Sequence, residues 1–245
     1  MRTTFRRATT SFFTLLIAAS LAFASDPPWK GKPYQQWDDK DIQRVFSDSP
    51  WARKTTITRT WGAATQKDAQ NPQLPGGGRS MPGPGRGGAQ GPNDTAGSES
   101  TFDVYWASSR VMRAATARRS VLHGGKSDLD VDKYATAPQE EYQVVIQSED
   151  TSPFVRHDEK FYEANSFLEP KKSKQKVSPS HVVYERGEKS QVAAAVFFFP
   201  RKTASGEPTI GSDEKNVEFN CKIEGTNLRV SFEPQKMVDN QGPAL

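Results

Sequence analysis

The chain has 245 residues, and its 33 lysine and arginine residues outnumber its 29 aspartate and glutamate residues. Three of the arginines lie within residues 1–24, so residues 25–245 carry 30 basic against 29 acidic side chains. This near balance argues against nucleic acid as a partner. The single cysteine, Cys221, excludes an internal disulfide, so we expect the stability to come from a packed core.

The N-terminal segment has the pattern of an export signal. Arg2, Arg6 and Arg7 form a positive start, residues 12–21 are almost entirely apolar, and residues 22–24 end in the small-x-small sequence Ala-Phe-Ala. The apolar run is shorter than the roughly 20 residues that a membrane-spanning helix needs. The sequence therefore predicts a cleaved signal at 1–24, no remaining transmembrane anchor, and an exported protein that is periplasmic or secreted.

The next segment contains the first predicted helix and strand. Asp38 takes the N-cap position, with Trp37 before it and Ile42 at the fourth helical position, which is the spacing of a hydrophobic staple. The Ser-Pro pair at 49–50 predicts the end of this helix. The β-branched and aromatic residues of 55–61 predict a strand.

A stretch rich in glycine and proline interrupts the chain at 71–98. Of its 28 residues, 14 are Gly or Pro, and it holds almost nothing apolar. Such a composition cannot bury enough surface to offset the entropy of ordering, so we expect a disordered loop. A tolerated insertion and a Pro-rich ligand for a partner are the two interpretations of it. The sequence predicts one domain over 25–245, interrupted by this loop.

Regular patterning resumes after the predicted loop. Apolar and polar residues alternate over 102–106, which predicts a strand, and we expect it to lie near the strand of 55–61. A helix over about 109–122 follows, with Ser108 or Ser109 as its N-cap.

The rest of the chain is mainly strands. The apolar spacing of 158–168 predicts a helix. Strands are predicted at 141–148, 182–185, 191–199, 216–224 and 228–233. The nearly continuous apolar run at 192–199 is typical of a central strand covered on both faces, and Pro200 ends it. These elements predict an α+β fold, with a mostly antiparallel sheet of about six or seven strands and about three helices.

The sequence contains no recognisable catalytic set. His123, His157 and His181 lack the spacing of a zinc site, and neither a phosphate-binding loop nor a nucleophile elbow occurs. Cys221 falls in the middle of a predicted strand with apolar neighbours, which favours a buried structural thiol. Neither a metal nor a cofactor is predicted, and the catalytic residues of any activity stay unknown.

Two charged segments are weighed as binding sites. Carboxylates at alternate positions of 128–132 resemble the start of a calcium loop, but Lys133 and Gln139 occupy the positions that need Gly and Glu. A solvated acidic loop is the favoured interpretation. The lysines of 171–176 are interpreted as an exposed connector.

Basic residues on the helix after 102–106 indicate a site for an anionic group. Trp106, Arg110 and Arg113 are the candidate ligand-binding residues, and the partner would be an anionic envelope polymer or another envelope protein. The alternative is a solvated helix face whose arginines pair with acids such as Asp103 or Glu141.

Several short pieces resemble a group of uncharacterised exported bacterial proteins. They are 37–42 (WDDKDI), 49–53 (SPWAR), 105–110 (YWASSR), 197–201 (FFFPR) and 217–219 (VEF). The resemblance implies export and one shared α+β domain. It implies no reaction, ligand or catalytic residue.

Three functions stay open at this point. The leading hypothesis is an exported cell-envelope or secreted protein that acts as a non-enzymatic binding or scaffold module. The alternative is an exported hydrolase whose acids and bases, for instance Asp103, Glu141 and His157, assemble only in three dimensions. The third is a subunit whose partner pairs with an open sheet edge.

Overall fold

The computed structural model describes residues 26–59, 98–187 and 189–245. The predicted signal at 1–24 and the predicted loop at 71–98 lie outside the described residues, except that Ser98 begins a strand. Among the helices of this described part, none is both long and apolar enough to cross a membrane.

The described residues form six α-helices and ten strands. The helices are α1 (Pro28–Gly31), α2 (Asp39–Ser47), α3 (Arg110–His123), α4 (Val131–Thr136), α5 (Ser152–Arg156) and α6 (Glu159–Ala164). The strands are β1 (Ala52–Arg59), β2 (Ser98–Trp106), β3 (Glu141–Gln147), β4 (Ser166–Pro170), β5 (His181–Arg186), β6 (Val192–Pro200), β7 (Val217–Ile223), β8 (Thr226–Phe232), β9 (Val238–Asp239) and β10 (Gly242–Pro243). Both counts exceed the prediction. α1, α4, α5, β9 and β10 are too short to show a periodic apolar pattern, and β4 begins within the predicted helix over 158–168.

The α+β class and the mostly antiparallel pairing are confirmed. Five strands form one sheet in the order β1-β2-β3-β6-β5, three form a second sheet in the order β4-β7-β8, and β9 pairs with β10. β1 and β2 pair from Ala52↔Tyr105 to Arg59↔Ser98, so the strands that flank the predicted loop are neighbours, as expected. β6 lies between β3 and β5, which confirms it as a central strand.

An aromatic core lies between the two larger sheets. The ring centroids of Phe197 on β6 and Phe219 on β7 are 5.2 Å apart. Trp106 on β2 lies 5.2 Å from Phe232 on β8. All four side chains are fully buried, so the inner faces of the two sheets pack against each other and exclude solvent there.

Side-chain caps fix the starts of the two helices nearest the candidate site. The Asp38 carboxylate accepts from the Asp41 backbone N–H at 2.9 Å, and the Asp41 carboxylate accepts from the Asp38 N–H at 3.3 Å. This capping box confirms the predicted start of α2. Ser109 caps α3, since its Oγ accepts from the Met112 N–H at 3.1 Å.

The predicted helix over 158–168 is wrong at its C-terminal end. α6 ends at Ala164, where the Asn165 side-chain amide donates back to the Phe161 carbonyl at 2.8 Å. Residues 166–168 belong to β4 instead, paired with β7 from Ser166↔Cys221 onward. Pairing with a strand about 50 residues later overrides the local helical spacing.

The outer face of the five-stranded sheet carries a row of paired side chains. Tyr105, Val145, Val196 and Val183 are consecutive cross-strand partners on β2, β3, β6 and β5. Val145 and Val196 are 9% and 5% exposed, whereas Val183 at the edge is 45% exposed. This face positions the candidate site.

Candidate functional site

A concave surface lies on the outer face of the five-stranded sheet beside α3. We call it the sheet-face groove; its volume is about 440 Å³, within the range of about 300–1,000 Å³ typical of ligand sites. It is lined by Phe46, Tyr105, Ala107, Met112, Arg113, Thr116, Arg119, Tyr134, Gln139, Gln143, Val145, Gln147, Glu185 and Val196.

Two periodicities bring these side chains together. Gln143, Val145 and Gln147 alternate along β3 with core residues, so they share the outer face of the sheet. Met112, Thr116 and Arg119 recur at helical spacing, so they share one side of α3. The groove is therefore the space between the outer face of β3 and one side of α3. The sequence specifies each of these two faces by its own periodicity.

The floor of the groove holds polar groups that the fold does not use. Three such groups are the side-chain amides of Gln143 and Gln147 and the hydroxyl of Tyr105. Within the described ranges, none of these side-chain groups makes a hydrogen bond to another residue. Burial, followed by the charge of Asp103, raises the pKa of Tyr105 to about 12. The phenol therefore stays protonated at neutral pH and is available as a hydrogen-bond donor.

Arg113 forms one wall of the groove, and its guanidinium donates hydrogen bonds to the backbone. It is 8% exposed, and its Nη1 donates to the carbonyls of Ala135 at 3.1 Å and Ala137 at 2.5 Å. Its guanidinium carbon lies 4.8 Å from the centroid of the Tyr134 ring. Arg113 thus holds the end of α4 against α3, and it lines the groove while its Nη1 is hydrogen-bonded to the backbone.

Arg119 lies on α3 and is held differently from Arg113. Its guanidinium carbon lies 4.1 Å from the centroid of the Phe46 ring, a cation–π distance. The Phe46 ring in turn meets Tyr105 edge-on at 5.5 Å. No hydrogen bond or ion pair joins the Arg119 guanidinium to another residue of the described part.

A second cavity of about 440 Å³ adjoins the groove on the side of α2. We call it the α2-side cavity. It shares Phe46, Tyr105 and Arg119 with the groove. Its other lining residues are Asp39, Ile42, Gln43, Ser47, Lys54, Asp103 and His123. The three shared side chains therefore stand at the junction of the two cavities.

The predicted ligand-binding residue Trp106 lies in the core and does not line the groove. Its ring is fully buried, 5.4 Å from Tyr142 and 5.2 Å from Phe232. The strand pattern that identified Trp106 also places it on the inner face, opposite Tyr105. A residue there contributes to packing and has no access to a ligand.

The predicted ligand-binding residue Arg110 is part of a buried clamp away from the groove. Its Nε and Nη2 donate to the Asp239 carboxylate at 2.7 and 2.6 Å, and Tyr34 donates to the same carboxylate. The Asp239 side chain is fully buried. Of the three predicted residues, Arg113 alone lines the groove, and the structure does not bring them into one site.

The acids and base of the hydrolase hypothesis line no common cavity among those described. Asp103 borders the α2-side cavity, Glu141 accepts a hydrogen bond from Ser180, and His157 stacks on Phe161 at 3.9 Å. Within the described ranges, no group of three or more potential metal ligands occurs.

The acidic segment at 128–132 has local structural roles. Asp130 caps α4, because its carboxylate accepts from the Lys133 N–H at 3.0 Å. Asp132 accepts a hydrogen bond from the Gln35 side chain. These contacts account for two of its three carboxylates without a bound cation.

The sequence alone does not identify most of the groove residues. The alternation of apolar and polar residues along β2 and β3 is the signal that places Tyr105, Gln143 and Gln147 on the face opposite the core. Phe46 and Arg119 lie 73 positions apart in sequence, and nothing local links them.

No protein family, curated protein or solved structure matches the chain in the comparisons.

Proposed function

We propose that this protein is an exported, non-enzymatic binding module that holds a carbohydrate of the cell envelope in the sheet-face groove. The observation that carries the proposal is the set of unused polar groups on the groove floor, the Gln143 and Gln147 amides beside the Tyr105 hydroxyl. A side-chain amide both donates and accepts, which suits ligand hydroxyls that do the same.

The walls of the groove suit the apolar faces of sugar rings. Tyr134 is 42% exposed, and Tyr105 and Phe46 are partly buried with their rings at the groove surface. Val145 and Val196 supply the apolar part of the floor. Aromatic and aliphatic walls with a few convergent polar groups are the usual composition of a small-ligand site.

The backbone favours a carbohydrate over an extended peptide. β2, β3 and β6 each pair with a strand on both sides, so the backbone N–H and C=O groups under the groove are already engaged. A peptide that adds to a sheet needs free backbone groups at an edge. Recognition in this groove must therefore come from side chains.

Side chains from elsewhere in the fold cover parts of two sheet edges, which makes the hypothesis of strand pairing with a partner weaker. The Val182 N–H on edge strand β5 donates to the Glu163 carboxylate of α6 at 3.3 Å. The Ser231 carbonyl on edge strand β8 accepts from Arg53 Nε at 3.0 Å. A partner strand would have to displace these contacts.

Export is the second part of the proposal. The supporting observation is the signal pattern of residues 1–24. N-terminal sequencing of material recovered outside the cytoplasm should begin at Ser25. An N-terminus that still carries Met1 would contradict cleavage.

The binding proposal is tested by isothermal titration of the protein, expressed with residues 1–24 so that the cell performs any processing. The ligands are hexamers of glucose, galactose and galacturonic acid. The double variant Gln143→Ala/Gln147→Ala should weaken binding about tenfold, since two neutral hydrogen bonds contribute about 1–3 kcal/mol together.

Gln175→Ala is the matched control, because Gln175 is an exposed glutamine on the connector between β4 and β5. It should leave the affinity unchanged. Equal affinity of the double variant and the wild type would contradict the assigned site. Release of new reducing ends during incubation would instead favour the hydrolase.

A further inference from the structure

We infer that the carbohydrate is an acidic oligosaccharide whose carboxylate is bound by Arg119 and whose chain runs from the sheet-face groove into the α2-side cavity. The inference rests on the proposed function and specifies the charge and the length of the ligand. It follows from three features, namely the use of the arginines on α3, the pairing of nearby charges, and the shared wall of the two cavities.

Arg119 is the one arginine of α3 whose guanidinium has no polar partner among the described residues. Arg110 is paired with Asp239, Arg113 donates to two backbone carbonyls, and Arg118 Nε donates to the Trp37 carbonyl at 2.8 Å. Each of the other three arginines therefore has at least one polar partner in the fold. The fork of donors on Arg119 remains available for a planar anion such as a carboxylate.

Phe46 supports Arg119 in a position suited to binding. The ring lies beneath the guanidinium at 4.1 Å, so stacking restrains the side chain while leaving its N–H groups at the edge of the plane. A restrained donor loses less conformational freedom when a ligand arrives.

Two acidic groups near the junction contact other side chains of the fold. Asp103 pairs with Lys54 at 3.3 Å, and Asp39 contacts His123 Nε2 at 2.6 Å. Glu185 lies on edge strand β5 and lines only the sheet-face groove. In the lining of the sheet-face groove, Arg113 and Arg119 are two cationic side chains against the one carboxylate of Glu185, so the groove side of the junction carries a net positive charge, which complements an anionic ligand.

The length of the ligand follows from the shared wall. Arg119, Phe46 and Tyr105 line both cavities, and each cavity alone measures about 440 Å³. A ligand held at Arg119 has room on both sides of the guanidinium. A chain of several sugar rings uses both cavities, whereas a dimer occupies one.

The test compares three probes by isothermal titration at low salt. They are a hexamer of galacturonic acid, the methyl ester of the same hexamer, and the acidic dimer. The wild-type protein should bind the acidic hexamer more tightly than either of the others. Arg119→Gln should weaken the acidic hexamer about tenfold, the loss expected for a hydrogen bond to a charged group, and should not change the methyl ester.

A second variant tests the path of the chain. Gln43 is an exposed residue of α2 that lines only the α2-side cavity, so Gln43→Glu introduces a repelling charge there without a change in size. It should weaken the acidic hexamer and leave the acidic dimer unchanged. The matched controls are Arg229→Gln on β8 and Gln175→Glu, both at exposed sites outside the two cavities.

The outcomes separate this inference from the function on which it rests. Equal binding of the acidic and esterified hexamers, unchanged by Arg119→Gln, would overturn the inference, while sensitivity to Gln143→Ala/Gln147→Ala would still support the proposed function. Equal binding of dimer and hexamer would overturn the assigned length. Absence of binding by all three probes would overturn the inference, and the proposed function would be overturned as well only if the hexamers of glucose and galactose also failed to bind.

Discussion

The Arg110–Asp239 clamp should make a large contribution to stability, and Asp239→Asn tests it. Asp239 is fully buried at its side chain and Arg110 is 21% exposed. The substitution removes the charge that compensates the guanidinium and weakens its two hydrogen bonds of 2.6 and 2.7 Å. Tyr34 loses a charged acceptor in the same step.

The expected cost follows from the burial of the pair. Removing one partner of a buried ion pair costs about 3–5 kcal/mol, because the other charge is left uncompensated. Arg110 keeps partial access to solvent and two weak carbonyl contacts at 3.3 Å, so we expect the lower end, about 3 kcal/mol. For a chain of this size, that corresponds to a fall in Tm of about 6–12 °C.

Thermal unfolding followed by circular dichroism measures the effect. Asp213→Asn is the matched control, since Asp213 forms an exposed pair with Lys172 that should contribute little. Arg110→Met combined with Asp239→Leu removes both charges and should cost less than the sum of the single substitutions. A fall in Tm for Asp239→Asn no larger than that of the control would refute the assigned role.

Three further predictions concern protonation and the link between Trp51 and Ala244. Burial alone would raise the pKa of Asp239, but hydrogen bonds from Arg110 and Tyr34 lower the pKa below its usual range. The contribution of Asp239 to the free energy of unfolding is therefore present above the unfolded pKa of about 3.9 and is lost as pH falls through the folded pKa. In urea unfolding, the stability of the wild type should therefore approach that of Asp239→Asn in acid. A difference that persists unchanged at pH 2 would contradict this. Burial raises the pKa of the Cys221 thiol to about 12, so a thiol reagent should label it only after unfolding, and rapid labelling of the native protein would be the contrary result. Trp51→Phe removes the hydrogen bond of 2.6 Å from Trp51 Nε1 to the Ala244 carbonyl and should lower the unfolding free energy by at least about 1 kcal/mol; unchanged stability would show that this link is dispensable.

The sequence predicted most elements because their signals are local. The N-caps Asp38 and Ser109 are followed by helices at the expected positions, and the alternation over 102–106 identified β2 and its buried face. Such signals depend on neighbours within about one helical turn or one strand pair, which a single sequence displays.

The end of α6 could not be predicted for a physical reason. Phe167 and Leu168 continue the helical apolar spacing, but Leu168 pairs with Phe219, which lies 51 positions later. The energy of that strand pairing depends on a chain segment that local spacing does not reveal.

The candidate site was less predictable than the fold, because the partners of its arginines are distant in sequence. Arg110 finds Asp239 at a separation of 129 residues, and Arg113 finds carbonyls 22 and 24 residues away. The sequence predicts both as ligand-binding residues because they make the helix after 102–106 locally basic. Arg119 is better suited to an anionic ligand than Arg110 and Arg113. It differs from them because its guanidinium has no polar partner among the described residues.

The most direct test of a carbohydrate site on the sheet face is an NMR titration that follows the side-chain amide groups of glutamine. The acidic hexamer should shift the signals of Gln143 and Gln147 in a saturable manner and leave the Gln175 signal in place. Saturable binding that shifts Gln175 or neither groove residue, with the hexamer bound elsewhere, would contradict the assignment of the sheet-face groove as the ligand site.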